Sequence, residues 1–409
     1  MGAGSELFTG LFYRRGSLSF VPGASDVPNV IFFPDTTPLN LSEDRSFNSY
    51  GLKLDYTWRF GTDLQVKAGT MSWLTTGQER FLTTGAQGQH GPGSNSTLQG
   101  HDMGVYAQTV WAPVERWELR AGVRYDAHAA PFAGTQTQVS PRIKLSFLPD
   151  PRTTFYAYYG RLFMPTNVED LRAITSAADS GVVAQPTLPE RDNFYEAGVI
   201  HRFPLGVAAK VDVYRKQSTP GIDDNTVPGS AIVTSVNLAE IFVTGIESGL
   251  DFHPSGPISG YLNFALNHAY GRGPITGGFF PTDVADVPGG WFDLDHDQRV
   301  SAVGNLVYSL SRLYLSATGT YGSGLANGAD ITQPIGTGMF EFNKDIHVKP
   351  NLVLDASAGY TVALRGTTVR PQLYVENVMN NHYLLKGAFF SGASVGRPRS
   401  IQLRLNVGL

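Results

Sequence analysis

The chain has no cysteine in its 409 residues, which removes disulfide frameworks and thiolate metal sites together. It is also poor in charge. Only 16% of its residues are Asp, Glu, Lys or Arg, and a net charge of −4 offers no basic footprint for nucleic acid. No apolar run approaches the roughly 18 residues that a membrane helix needs, and mean hydropathy is slightly negative. The opening Met-Gly-Ala-Gly-Ser-Glu has neither the basic region nor the apolar stretch of a secretory signal. The 9 histidines form no His-Glu-x-x-His pattern or other zinc-like spacing. By the logic of helices this chain reads as soluble. A transmembrane barrel escapes that test, because only every second residue of a strand faces lipid.

What the sequence has in quantity is turn formers and aromatics: 46 Gly, 25 Pro, 18 Tyr and 24 Phe. Its organising signal is period-two alternation in segments of about ten residues, the length a tilted strand needs to cross a bilayer. Over 115–126, Trp117, Leu119, Ala121, Val123 and Tyr125 alternate with Glu118, Arg120, Gly122, Arg124 and Asp126. Over 49–60, Tyr50, Leu52, Leu54, Tyr56, Trp58 and Phe60 oppose Lys53, Asp55, Thr57 and Arg59. At the C-terminus Ile401, Leu403, Leu405, Val407 and Leu409 oppose Gln402, Arg404 and Asn406.

Alternation alone also fits a soluble sandwich. Segment length, aromatics at segment ends and the connections favour a membrane barrel. Short connections are Gly61-Thr62, Pro113-Val114, Pro149-Asp150-Pro151, Pro204-Leu205, Pro254–Pro257, Leu310-Ser311 and Ala363–Arg365. They alternate with long ones at 22–48, 74–101, 127–137, 163–191, 217–241, 271–297, 323–349 and 378–399. Turns on one side and loops on the other is the asymmetry of outer-membrane barrels.

The expected fold is therefore an all-β, transmembrane antiparallel barrel. About seventeen segments are expected, at 5–13, 16–21, 49–60, 63–73, 102–112, 115–126, 138–148, 152–162, 192–202, 206–216, 242–253, 258–270, 298–309, 312–322, 350–362, 366–377 and 400–409. With an odd count the first and last segments run the same way and cannot close as an antiparallel pair. The expectation is a barrel over 1–409 that is truncated on its N-terminal side.

Several segments then resemble the C-terminal barrel of TonB-dependent outer-membrane receptors. They are Tyr158-Tyr159-Gly160-Arg161-Leu162-Phe163-Met164-Pro165-Thr166, Leu188-Pro189-Glu190 with Tyr195-Glu196-Ala197-Gly198-Val199, Asn237 with Val243-Thr244-Gly245-Ile246-Glu247, Val375-Glu376-Asn377-Val378-Met379-Asn380 with Tyr383, and Gly396-Arg397-Pro398-Arg399-Ser400. They come in the family's order and cover 158–409. Two departures are Asp170, which splits Glu169 from Leu171, and the final Leu409 where the family ends in an aromatic. The resemblance implies a 22-stranded barrel, of which these would be the last seventeen strands. It also implies a plug domain in the lumen, contact with TonB through that plug, and outer-membrane lipid around the wall. No plug-like segment is found in this sequence. The implied activity is uptake of a scarce bulky nutrient such as a metal–siderophore complex, corrinoid or oligosaccharide. A passive porin-like channel and a structural or adhesive barrel are the alternatives.

No enzymatic site and no cofactor site emerge. Gly392-Ala393-Ser394-Val395-Gly396 matches the nucleophile elbow G-x-S-x-G, but that motif needs a strand before it and a helix after it. Asp293, Asp295 and Asp297 around His296 suggest calcium, yet an EF-hand loop would want Gly and Glu where Gln298 and Gly304 stand. These acids read as a solvated loop end. Candidate ligand contacts are the loop aromatics Phe279, Phe280, Trp291, Phe292, Phe340, Phe342, Phe389 and Phe390. Arg59, Arg120, Arg124, Lys210 and Arg404 are expected to face the lumen and a plug.

Overall fold

The computed structural model describes residues 4–23, 30–32, 35–85, 90–131, 133–166, 187–226, 233–277, 290–326, 347–364, 366–387 and 394–408. Strands dominate them. In chain order they are β1 (Ser5–Phe20), β2 (Val30–Phe32), β3 (Asp35–Phe60), β4 (Leu64–Gly85), β5 (His90–Val114), β6 (Trp117–Ala130), β7 (Gly134–Asp150) and β8 (Thr153–Met164). There follow β9 (Glu190–Phe203), β10 (Val207–Ser218), β11 (Gly221–Thr226), β12 (Val233–Phe252), β13 (Ile258–Thr276), β14 (Trp291–Asp293) and β15 (Val300–Leu310). The last are β16 (Leu313–Gly322), β17 (Asn351–Tyr360), β18 (Val362–Leu364), β19 (Thr367–Glu376), β20 (Leu384–Lys386), β21 (Ser394–Val395) and β22 (Ser400–Gly408).

Every pairing is antiparallel and follows chain order, from β1 on β3 through to β19 on β22. Sixteen of the strands have nine residues or more; four of the rest are short pieces paired to them, and β20 and β21 pair with each other as a separate ribbon. Among the described residues the expected short connections fall at or within two residues of the reversals, Pro113-Val114 closing β5 just before the turn at 115–116. Gly61 (φ +66°) and Leu205 (φ +65°) hold the left-handed backbone that such tight reversals require.

The two faces differ in chemistry as the alternation demands. One is apolar, with Leu7, Leu11, Tyr50, Trp58, Val123, Ile143, Val213, Ile246, Leu306, Leu354 and Leu403 all exposed. Aromatics bracket it. Toward the short turns lie Trp58, Trp117 packed on Phe147 at 4.6 Å, and Phe203. Toward the long loops lie Tyr13 on Tyr50 at 5.1 Å and Tyr159 on Tyr195 at 5.2 Å, with Tyr125. Tyr50 to Trp58, Trp117 to Tyr125 and Tyr195 to Phe203 each span eight residues. At ~3.3 Å per residue and a tilt near 40° that is about 20 Å of height, close to the ~25 Å apolar band of outer-membrane barrels.

Beyond the outer aromatics the alternation changes phase. In β3 the apolar positions move from even numbers (Tyr50 to Phe60) to odd ones, where Leu41 and Phe47 are buried while Ser42, Asp44, Ser46 and Asn48 turn outward. Phe81 of β4 and Leu98 of β5 are buried in the same way. Water has replaced lipid outside, so the apolar set turns inward.

That reversal corrects several expected boundaries. The stretches expected as loops at 22–48, 74–101, 127–137 and 217–241 are largely strand, because β3, β4, β5, β6, β7 and β12 run on past the band. The segments expected at 5–13 and 16–21 are one strand, β1. Its outward Leu7, Leu11 and Tyr13 give way to inward Leu18 and Phe20 without a break in pairing to β3. β1 therefore climbs from the short-turn side, and β22 descends toward it.

Candidate functional site: the inner wall and the outer mouth

The face opposite the apolar band is a connected polar surface. Asp55 receives Lys67 Nζ at 3.0 Å, Lys53 Nζ at 3.4 Å and the Tyr106 hydroxyl at 2.5 Å. Gly69 makes this knot fit, since a Cβ there would stand 2.5 Å from Asp55 Oδ1 and 2.8 Å from the Tyr106 ring. Further round, Tyr156 donates to Glu196 at 2.6 Å, and Lys144 lies 4.0 Å over the Tyr156 ring. The five cations expected in the lumen all sit on this face. Arg59 reaches Glu6 at 3.2 Å, Arg120 meets Glu118 at 2.7 Å, Arg124 meets Asp126 at 2.6 Å and Lys210 meets Asp212 at 2.9 Å. Arg404 donates to Gln402 and lies 4.4 Å over Tyr374.

Two recesses open on this wall. A groove of about 660 Å³ runs past Lys210, Asp212, Glu247, Asn263, Gln298 and Thr320. A smaller one of about 280 Å³ lies among Lys53, Lys67, Tyr106, Arg124 and Arg142. Both are open and edged by charged side chains, suited to water and charged surfaces rather than to a dry small-molecule pocket.

The outer mouth has a core of its own. Val236, Leu238, Ile241, Ile275, Phe292 and Leu294 form a buried cluster where β11, β12, β13 and β14 converge. Phe292 is thus a core side chain, 5% exposed. Trp291 takes the other face, half exposed against Phe242, Tyr270 and Arg272. The remaining loop aromatics named from the sequence, Phe279, Phe280, Phe340, Phe342, Phe389 and Phe390, lie outside the described residues.

Charged groups that sequence reasoning missed are buried at this mouth. Arg45 Nε sits 3.1 Å from both Glu43 and Glu79, with all three side chains almost fully enclosed. Burial, only partly offset by Arg45, pushes the Glu43 carboxyl above its ordinary range. On β9, Glu190 accepts Lys216 Nζ and the Ile222 amide, each at 2.8 Å. Asp192 is wholly buried two residues along, opposite Ser218. Burial, then the Glu190 charge, push Asp192 up to about 6. The signal that could have revealed these acids is parity carried unbroken past the band, which keeps odd-numbered β3 residues and even-numbered β9 residues on the inner side.

Asp192 yields a pH prediction. Its folded pKa lies above the unfolded value of ~3.9, so the destabilisation is full above pH 6 and is relieved as pH falls toward 4. Asp192→Asn should raise the melting temperature by about 2 °C at pH 8. The difference should vanish near pH 4; a shift that persists there would assign the gain to something other than charge.

The acids before β15, expected as a solvated loop end, are instead paired, with Asp295 and Asp297 buried and Arg299 shared by Asp293 and Asp297. Asp297 accepts the Ala269 amide and pairs with Arg299 Nε, while Asp293 receives Arg299 at 2.6 Å and His268 at 2.7 Å. Burial raises the Asp293 carboxyl, but these two donors outweigh it and hold it below the usual range. His296 stands 3.0 Å from Asp295 and 3.8 Å from Asp223 of β11, and the three ligand atoms lie within 4.8 Å of one another. Ser394 of the elbow-like stretch opens the short β21, and extended chain, not a helix, follows it.

This architecture, with an apolar band outside, paired charges inside, short turns at one end and extended strands at the other, defines a transmembrane β-barrel wall. The sequence matches the family model described as TonB dependent receptor-like, beta-barrel over residues 5–379, and the chain belongs to that family. No curated protein matches it in sequence. Solved structures share its fold. The copper transporter OprC aligns with a TM-score of 0.69 at 15% identity, over 98% of this chain and 62% of its own. The ferric yersiniabactin uptake receptor FyuA from Yersinia pestis aligns at 0.69 and 12%, over 98% and 60%. The ferric citrate transporter FecA in its unliganded form aligns at 0.66 and 13%, over 98% and 58%. The chain spans about three fifths of the length of these structures. The family consists of transport receptors, and its barrel homologues are outer-membrane proteins.

Proposed function

We propose that this chain is the barrel part of a TonB-dependent receptor in the bacterial outer membrane, serving uptake of a scarce bulky nutrient. A metal–siderophore complex, a corrinoid or an oligosaccharide is the substrate class. The observation that carries the reading is the pairing of charges along the inner wall, set behind an apolar band of bilayer height. A wall of linked donors and acceptors suits a plug domain that is held by hydrogen bonds and released by work. Arg59, Arg120, Arg124, Lys210 and Arg404 are the groups such a plug would meet. Ligand would be captured at the outer mouth and the plug then moved by TonB, with no bond chemistry in the barrel.

Uptake in cells tests this. Cells carrying the complete reading frame should accumulate one of three probes: a ferric hydroxamate chelate, cobalamin or maltohexaose. Accumulation should drop to background when TonB is deleted. Uptake that survives that deletion, with arabinose-driven swelling of vesicles holding the complete product, would place the chain among passive channels instead.

A further inference from the structure

The outward face carries a basic patch, without an acidic partner among the described residues, just above the aromatic ring of the long-loop side. Tyr195 of β9 pairs in register with Tyr159 of β8 on one side and with Arg215 of β10 on the other. Arg161 lies one outward step above Tyr159, opposite Asn193, and Arg191 lies opposite Phe163 a further step on. Three arginines thus project from three adjacent strands, from the height of Tyr195 to about 10 Å above it.

Their partners among the described residues are neutral. Arg161 donates to Asn193 Oδ1 at 3.3 Å. Arg191 donates to the Thr137 carbonyl at 2.9 Å, to Gln138 at 3.2 Å and to Gln136 at 3.3 Å, and its guanidinium lies 5.3 Å over Phe163. Arg215 lies 4.7 Å over Phe242. Among the described residues no carboxylate is within ion-pair distance of any of the three. Arginines at the same height further round do have one: Arg272 meets Glu240 at 2.5 Å and Arg299 meets Asp293 at 2.6 Å. The outward neighbours Thr137, Val139, Asn193 and Gln217 carry no charge.

We propose that Arg161, Arg191 and Arg215 bind the phosphate of an anionic lipid headgroup in the outer leaflet. A guanidinium takes a phosphate through two parallel hydrogen bonds, and long arginine side chains bend to the headgroup layer while their stems lie on apolar wall. The patch continues directly into the apolar band through Tyr159, Tyr195, Val213 and Ile246, so a lipid with its head here has its chains on that wall. This rests on the membrane reading of the barrel.

Native mass spectrometry of the chain, purified in detergent, tests it with diphosphoryl lipid A as probe. Wild type should retain the lipid, and replacing all three arginines (Arg161→Gln, Arg191→Gln, Arg215→Gln) should weaken retention about tenfold or more. Lys144→Gln, which removes one charge from the inner wall, should leave it unchanged. Dephosphorylated lipid should bind wild type as weakly as the phosphorylated lipid binds the triple variant, and raised salt should release the phosphorylated lipid from wild type. Equal retention by wild type and triple variant overturns the proposal, as does displacement of the lipid by millimolar inorganic phosphate. A chain that stays soluble and folded without detergent would overturn the membrane reading itself.

Discussion

Val199→Arg is expected to cost about 2–4 kcal/mol of barrel stability, the loss measured for arginine at the bilayer midplane of such proteins. Val199 lies on the apolar face of β9, four residues from Tyr195 and four from Phe203, and is flanked in register by Phe155 and Val211. A guanidinium there has no water within reach and no acid beside it. The folded-to-unfolded ratio at the wild-type urea midpoint should fall about 30- to 900-fold. The comparison that gives this meaning is Asn263→Arg, the same side chain placed in the wide inner groove near Glu247. That variant should change stability little, because water fills the groove and a carboxylate lies close. Unfolding in lipid vesicles, followed by heat-dependent gel mobility, reads both. Equal loss in the two would mean that the faces have been assigned the wrong way round.

Arg45→Met should be the most damaging single change outside the membrane band. Arg45 holds Glu43 and Glu79 at 3.1 Å each, with side-chain exposures of 4% for the arginine and 0% for both acids. Removing the cation leaves two enclosed carboxylates facing each other, a situation that costs about 3–5 kcal/mol. The loss should fall on the outer extension of β3 and β4. Amide exchange over 39–48 and 76–85 should therefore accelerate by about 150- to 4,000-fold, with the membrane band unchanged. Because Glu43 is already raised above its ordinary range, it takes up a proton readily, and the defect should be smaller at pH 5 than at pH 8. Adding Glu43→Gln and Glu79→Gln to Arg45→Met removes both charges and should recover most of the protection. An unchanged exchange rate in Arg45→Met would show that the triad is open to water.

The sequence could announce the band because lipid acts on each residue separately. Tyr50 to Phe60, Trp117 to Tyr125 and Ile401 to Val407 alternate so cleanly that strand, face and length were legible without any neighbour. Turn chemistry is local too, and the short connections from Gly61 to Ser311 lie at or next to the reversals of the chain. Legibility failed where the solvent changes. At Asn48 in β3 and after Tyr13 in β1 the outer surroundings pass from hydrocarbon to water, and the alternation reverses without the strand ending. Read as a lost pattern, that reversal suggested loops and divided β1 into two.

The site was less legible than the fold. The five inner-wall cations followed from parity alone, but their partners did not. Asp55 gathers Lys67 and Tyr106 from two other strands, and His296 meets Asp223 from 73 residues away. Such meetings depend on register, which one strand cannot specify for another.

By itself the sequence determined which residues shun water and where the chain turns back, since both are set within a few residues by side-chain solvation and backbone sterics. Only the tertiary structure decided which strands carry their pairing past the bilayer, which acids share one arginine, and which arginines gather on the outward face. Those outcomes are sums over neighbouring strands, and hydrogen-bonded register alone fixes who the neighbours are.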